Sequence, residues 1–390
     1  MRDDELQVLG RGKAKRNIWK WIAWSTISIV AIVGFVLAIQ KHNADLEAKA
    51  RMERLGNTID EGLQYITDSL LSQKLMELAG LHGQVIVMEV QTGAIKALVG
   101  LERKFDGTYQ ACRNFGYQQE PGSTVKTAVL LSLLETGEVK LTDEVDVGEG
   151  TWDIQEGDSI KDHNWLRGGY GVINLERVLE VSSNIGISKM VNKVFKGKEL
   201  DYFNSLDRMS FGQPDSIEGI SELRPMLYDS PKDSAWASKQ MLWSSIGYER
   251  QMAAIQTLTF YNAIANDGKM VKPSLLLGDV EVINEQIASK ENIAEIQKAL
   301  YHVITEGLAK PAGTPLVAVS GKTGTASVPN YWGEGNVYHV SFCGYFPAFA
   351  PKYSIIVSLN KPGLPASGGQ MAGTVFHDIV EWMVTNGMLE

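Results

Sequence analysis

The 390-residue sequence predicts an α/β protein of the mixed α+β kind. It should hold a central antiparallel five-stranded sheet flanked by helices, an all-helical subdomain and one N-terminal transmembrane helix. Three observations predict this. β-Rich runs lie early and late in the globular region, a mostly helical stretch separates them, and an apolar segment without charges precedes both. Strands at both ends with helices inserted favour an antiparallel sheet beside a helical region.

The apolar segment, Trp21 to Ile39, is nineteen residues without a charge. At about 1.5 Å per residue it reaches roughly 28 Å, close to the hydrocarbon thickness of a bilayer. Trp19, Trp21 and Trp24 supply an interfacial aromatic belt, and Arg11, Lys13, Lys15, Arg16 and Lys20 place the N-terminus in the cytoplasm. A cleaved signal peptide needs a shorter apolar region, roughly 7–15 residues, with a small-residue site close behind. Ala48-Lys49-Ala50 instead lies far downstream among charges. The expected organisation is a cytoplasmic tail over 1–17, an anchor helix over 18–40, a helical stalk over 41–80 and a globular domain over 81–390.

Thr58-Ile59-Asp60-Glu61 reads as a capping box, with Thr58 as the cap. Ile59, Leu63, Ile66, Leu70 and Leu78 then form one apolar helix face, closed by Gly80. Docking of this face onto its own domain is the expected use. Val85 to Val90 and Ala94 to Val99, joined by Gln91-Thr92-Gly93, predict a hairpin. Leu316 to Gly321, Tyr338 to Phe346 and Tyr353 to Asn360 are the three later strands, and an amphipathic helix from Thr374 to Val384 closes the chain.

Hydrophobic content of 44% and charged content of 21% suit a sizeable core. A net charge of -9 without a dominant basic patch argues against nucleic acid as a partner. The six histidines are scattered and there are only two cysteines, which argues against a zinc site. Cys112 and Cys343 are expected as two separate packed thiols rather than a disulfide.

Three short clusters carry the chemistry. Pro121-Gly122 should break the chain and start a helix through Thr124 to Leu134, so that Ser123 sits in its first turn. Free N–H groups and the helix dipole there favour developing negative charge. Lys126, three residues on, shares its face. A lysine kept neutral by burial or a neighbouring cation can take the hydroxyl proton. In the second cluster, Ser182-Ser183-Asn184 lies in a helix–helix connection, where Ser182 can relay a proton and Asn184 can fix a peptide bond.

The third, Lys322-Thr323-Gly324-Thr325, follows the β-rich Leu316 to Ser320. Glycine on a strand marks close approach of another backbone, and a substrate can lie along such an edge as an added strand. Lys322 supplies a second cation near Lys126, and Thr323 and Thr325 can hold a carboxylate. The N–H groups of Ser123 and Thr325 are the expected oxyanion hole. Each cluster alone also reads blandly, as a capping serine, an ordinary helix cap or a turn after a strand.

The ordered triple is the set found in penicillin-binding proteins and class A β-lactamases. From about Thr58 to the C-terminus the chain resembles the transpeptidase domain of a class B penicillin-binding protein. Glu120-Pro121-Gly122-Ser123-Thr124, Ser182-Ser183-Asn184-Ile185-Gly186, Ser245-Ile246-Gly247-Tyr248, Ala263-Ile264-Ala265-Asn266, Gly321 to Ala326 and Phe342-Cys343-Gly344-Tyr345-Phe346-Pro347 carry the likeness.

The resemblance implies a penicillin-binding-protein/β-lactamase-like transpeptidase fold and peptidoglycan cross-linking outside the inner membrane. Ser123 would be acylated by a D-Ala-D-Ala stem peptide, or covalently by a β-lactam, and the acyl group passed to an amine of a neighbouring stem. The implied catalytic residues are Ser123, Lys126, Ser182 and Lys322. Asn184, Thr323, Gly324 and Thr325 would bind substrate. No metal or organic cofactor is implied, and a glycosyltransferase and other wall-synthesis proteins are the implied partners. Only about forty residues, Gln40 to Gly80, stand where family members usually carry a long pedestal.

The rival readings are a serine β-lactamase and a membrane-bound β-lactam sensor. The first needs a deacylating glutamate that has no evident counterpart here. The second needs an output module, and the predicted cytoplasmic stretch is short.

Overall fold

The computed structural model describes residues 57–155, 157–217, 234–278, 280–328 and 335–390, together with 31, 33–39 and 42. It divides into two compact units, Met1–Gly56 and Asn57–Glu390. In the first, the described residues are helical. Most of the predicted anchor, and nearly all of the 41–56 part of the predicted stalk, lies outside the described residues. Among the described residues no helix is long and apolar enough to cross a membrane.

The second unit is built on one antiparallel sheet of six strands: β1 (His82–Glu89), β2 (Ile95–Arg103), β3 (Tyr109–Ala111), β4 (Ser320–Val328), β5 (Val337–Phe346) and β6 (Tyr353–Pro362). Their spatial order is β4-β5-β6-β1-β2-β3, so chain ends meet at the β1–β6 pairing and β4 is an edge strand. The sheet therefore has one strand more than expected. The short β3 carries Tyr109, Gln110 and Ala111, all at least partly exposed, and so shows no apolar alternation to betray it. The strand expected at Leu316–Gly321 runs instead from Ser320 to Val328, which places Lys322-Thr323-Gly324-Thr325 inside it rather than after it. Its polar side chains hid it.

β1 is buried without interruption from Gly83 to Met88, as a strand covered on both faces must be. Helix α1 (Glu61–Leu78) packs on β2 and against the C-terminal helix. Its buried stripe is Leu63, Thr67, Leu71 and Leu75, at i, i+4 steps. Asp60, not Thr58, caps it, accepting from Leu63 N–H at 2.8 Å. The Thr58 hydroxyl is committed instead to the Ile95 carbonyl at 2.7 Å. Left-handed Ala79 ends the helix, and at Gly80 a Cβ would fall 2.5 Å from the Leu75 side chain, which would have to shift.

The remaining helices are α2 (Lys126–Glu135), α3 (Leu175–Glu180), α4 (Asn184–Phe195), α5 (Glu199–Arg208), α6 (Ser234–Ser244), α7 (Ala254–Ala265), α8 (Lys290–Thr305) and α9 (Thr374–Thr385). Every residue of α7 is buried behind β1, β5 and β6. A helix buried on every side belongs in a core; this one carries Gln256, Thr257, Thr259 and Asn262 inward and joins sheet to helical region. That region is not all-helical. Glu144–Gly148 pairs with Gly171–Asn174, and Thr151–Gln155 pairs with Asp158–Lys161. Glu144–Gly148 and Thr151–Gln155 do alternate polar and apolar residues, but each run is only five residues long. Cys112 and Cys343 are separate free thiols, the first partly exposed and the second buried in β5.

Candidate active site

Ser123 lies in a 3₁₀ turn, Gly122–Val125, that runs directly into α2. Residues i and i+3 of such a turn share a face, which puts Lys126 on the serine's side. The turn is held from three directions. Gly122 adopts φ +57, and a Cβ there would come within 2.8 Å of the Thr325 carbonyl, so both conformation and space require glycine. Its N–H donates to the Gly247 carbonyl at 3.3 Å. From below, the Tyr261 hydroxyl donates to the Thr124 carbonyl at 2.8 Å.

Gly324 meets the same turn. A Cβ on it would sit 2.9 Å from the Pro121 carbonyl. The edge strand β4 thus touches the nucleophile's turn backbone to backbone, as the glycine had suggested. Just upstream, His339 Nδ1 donates to the Glu120 carbonyl at 2.9 Å, and its Nε2 faces the Ser358 hydroxyl at 2.9 Å. Burial lowers this imidazole to about 4, so it serves as a neutral brace. Ser358-Leu359-Asn360-Lys361 repeats the Ser-x-x-Lys spacing within β6, but Ser358 is spent on His339 and Gln119.

The two lysines converge on Ser182. Lys126 and Lys322 are both wholly buried. Lys126 Nζ donates to the Ser182 carbonyl at 2.6 Å and to Asn184 Oδ1 at 2.6 Å, and lies 3.3 Å from Ser182 Oγ. Lys322 Nζ donates to Ser182 Oγ at 2.9 Å and to the Thr323 carbonyl at 3.2 Å. Ser182 itself holds φ +55, a conformation that costs a non-glycine residue on the order of 1 kcal/mol or more. The bend turns carbonyl and hydroxyl of one residue toward two amines.

Burial pulls Lys126 down to about 7, against a smaller upward pull from Asp162. Lys322 falls well below the usual lysine range, through burial first and the Lys126 charge second. Of the two causes expected from sequence, burial or a neighbouring cation, burial is therefore the one that weakens the hold of Lys126 on its proton. A neutral amine has two N–H groups and a lone pair. The two 2.6 Å contacts take two of the nitrogen's positions, and the longer 3.3 Å contact to Ser182 Oγ takes the third. Among the described residues Lys126 gives no hydrogen bond to Ser123; before substrate binds, such contacts are often long.

Thr323 is buried beside Lys322, and Thr325 is exposed on β4 with its hydroxyl donating to the Gly324 carbonyl at 2.8 Å. All eight residues singled out by sequence thus lie on the elements that meet here. Asp162 was missed. It is buried and accepts from Ser183 Oγ at 2.7 Å, Asn184 N–H at 2.6 Å and Ile185 N–H at 3.1 Å. It follows the unpredicted Asp158–Lys161 strand, so nothing local announced it.

Away from this cleft, Glu176, Glu180 and His302 bring ligand atoms within 4.8 Å of one another. Lys298 at 3.9 Å from Glu176 and Arg177 at 2.7 Å from Glu180 balance the cluster, which links α3 to α8.

Comparison with known proteins settles the lineage. The family described as Penicillin binding protein transpeptidase domain matches residues 83–381. This chain belongs to that family. Penicillin-binding protein PbpB of Mycobacterium tuberculosis is 25% identical over 367 residues, covering 84% of this chain and 51% of that protein. A probable peptidoglycan D,D-transpeptidase PbpC of Pseudomonas aeruginosa is 26% identical over 334 residues, covering 83% of this chain and 57% of the relative. The TP domain of Burkholderia pseudomallei penicillin-binding protein 3 superposes with a TM-score of 0.71 at 26% identity, covering 86% of this chain and 96% of that one. The chain spans about half the length of the curated relatives it matches.

Proposed function

We propose that this chain is a serine-type peptidoglycan D,D-transpeptidase. The observation that carries the reading is the meeting of two buried lysines, from α2 and β4, at the hydroxyl of Ser182. In this reading Ser123 Oγ attacks the penultimate D-Ala carbonyl of a donor stem, and its proton passes to Lys126. The Ser123 and Thr325 N–H groups hold the oxyanion; such a donor contributes roughly 3–4 kcal/mol to lowering the barrier. The terminal D-Ala nitrogen leaves with a proton delivered through Ser182, and an ester on Ser123 remains. An amine of a second stem then attacks that ester, gives up a proton to the same relay and regenerates the serine.

Asn184 fixes the donor's peptide bond, Thr323 and Thr325 hold its carboxylate, and the donor lies along β4 as an added strand. A β-lactam enters the same path as a strained amide whose leaving group stays tethered. The charge-free Trp21 to Ile39 segment and the basic residues before it support a single-pass anchor, cytoplasmic N-terminus and catalytic unit outside the inner membrane. A glycosyltransferase and other wall-synthesis proteins are the proposed partners.

The test is labelling by a fluorescent penicillin beside nitrocefin turnover. The reading expects stable labelling, abolished by Ser123→Ala, with turnover slower than one per minute. Rapid turnover would point to a β-lactamase instead, and absence of labelling would remove the enzyme.

A further inference from the structure

We infer that Asp162 is a positioning residue for the acyl transfer: its carboxylate fixes the Ser182-Ser183-Asn184 bend against Lys126 and supplies the buried negative charge beside the lysine pair. The inference deepens the transpeptidase reading and rests on it. Three donors from consecutive residues end on this one carboxylate, the Ser183 hydroxyl and the Asn184 and Ile185 N–H groups. Ser183 in turn accepts from Gly186 N–H at 2.9 Å. The first three N–H groups of α4, which have no partner inside the helix, are therefore all satisfied by Asp162 and the residue it orients.

The same stretch aims the Asn184 amide. Asn184 Nδ2 donates to the Lys161 carbonyl at 2.8 Å, which leaves Oδ1 for Lys126 at 2.6 Å. Asp162 is itself anchored at both ends, its N–H to the Gly150 carbonyl at 3.0 Å and its carbonyl to Trp165 N–H at 3.1 Å. Two ribbons of the helical region thus deliver one carboxylate to the base of the bend.

The charge matters separately from the hydrogen bonds. The titratable groups facing Lys126 are Lys322 from β4, and Asp162 and His163 from the segment after the Asp158–Lys161 strand; Arg167 and Tyr170 lie one step further out. Among these Asp162 is the one carboxylate. It opposes burial and keeps Lys126 basic enough to take a proton, while burial keeps it from holding that proton permanently.

The experiment measures second-order acylation by a fluorescent penicillin from pH 5 to 9, using the full-length chain in detergent. An unlabelled wild type overturns the transpeptidase reading and this inference with it. A labelled wild type leaves only Asp162 on trial. Asp162→Asn keeps an acceptor for the α4 N–H groups and removes the charge. Its plateau should fall on the order of 10-fold or more. Its acid limb should move to lower pH by about half a pH unit or more, since the ammonium of Lys126 loses its counter-charge. Ser183→Ala, which deletes one hydrogen bond and spares the charge, should lower the plateau and leave the limb in place. Asp162→Ser serves the same test if the asparagine variant does not fold. A plateau and limb like wild type overturn the inference, and so does a lowered plateau with an unmoved limb, which would make Asp162 only a brace.

Discussion

Asn184 Oδ1 stands 2.6 Å from Lys126 Nζ, and the amide nitrogen of the same side chain is held by the Lys161 carbonyl. That contact ties a helix just after the nucleophile to a helix start far along the chain. It explains why Lys126 can be buried without a full charge. Two of its positions are held by amide oxygens, and the third, longer contact is to the Ser182 hydroxyl.

Lys126→Met should therefore lower acylation by on the order of 10³-fold, the range of a lost general base. Penicillin acylation rates measure it directly. The variant should remain folded by circular dichroism, because methionine fills a similar volume.

Stability should carry the same signature. Lys126 is near 10.4 when unfolded and about 7 when folded, so from pH 7 to about 10 the unfolded chain binds a proton that the folded one does not. Wild-type stability gains from this site as pH rises through that window. The stability of Lys126→Met relative to wild type should fall between pH 7 and pH 10 in urea titrations. A constant difference would contradict a depressed Lys126.

Ser182 combines a strained backbone with a shared hydroxyl, and two substitutions separate them. Ser182→Gly and Ser182→Ala should both slow acylation by on the order of 10²-fold. Only glycine relieves φ +55, so it should be more stable than alanine by about 1 kcal/mol. Equal stabilities would argue against backbone strain at this bend.

Gly122→Ala probes the seat of the nucleophile. Its Cβ would meet the Thr325 backbone in a conformation alanine resists. Thermal unfolding should show a loss of about 2 kcal/mol. Acylation should fall on the order of 10²-fold as Ser123 moves away from β4.

Much of this was legible in the sequence, for identifiable reasons. β5, β6 and the closing helix are apolar runs that core packing requires, so their limits fall within two residues of the expected ones, whereas β1 begins at His82, ahead of the expected Val85. The three clusters were legible because their chemistry needs particular side chains. What stayed hidden is what tertiary contact decides. Lys322 and Thr323 are polar residues buried within a strand, so β4 was placed too early. Thr58 looks like a cap but is drawn to the Ile95 carbonyl, leaving Asp60 to cap α1. Asp162 gains its importance only where a charged ribbon returns to the start of α4.

The most direct measurement is peptide-resolved mass spectrometry of the full-length chain after reaction with benzylpenicillin. A single adduct on the peptide bearing Ser123, lost in Ser123→Ala and formed far more slowly in Lys126→Met, is the predicted result. An adduct on another residue, or one formed as fast without the Lys126 amine, would contradict the account.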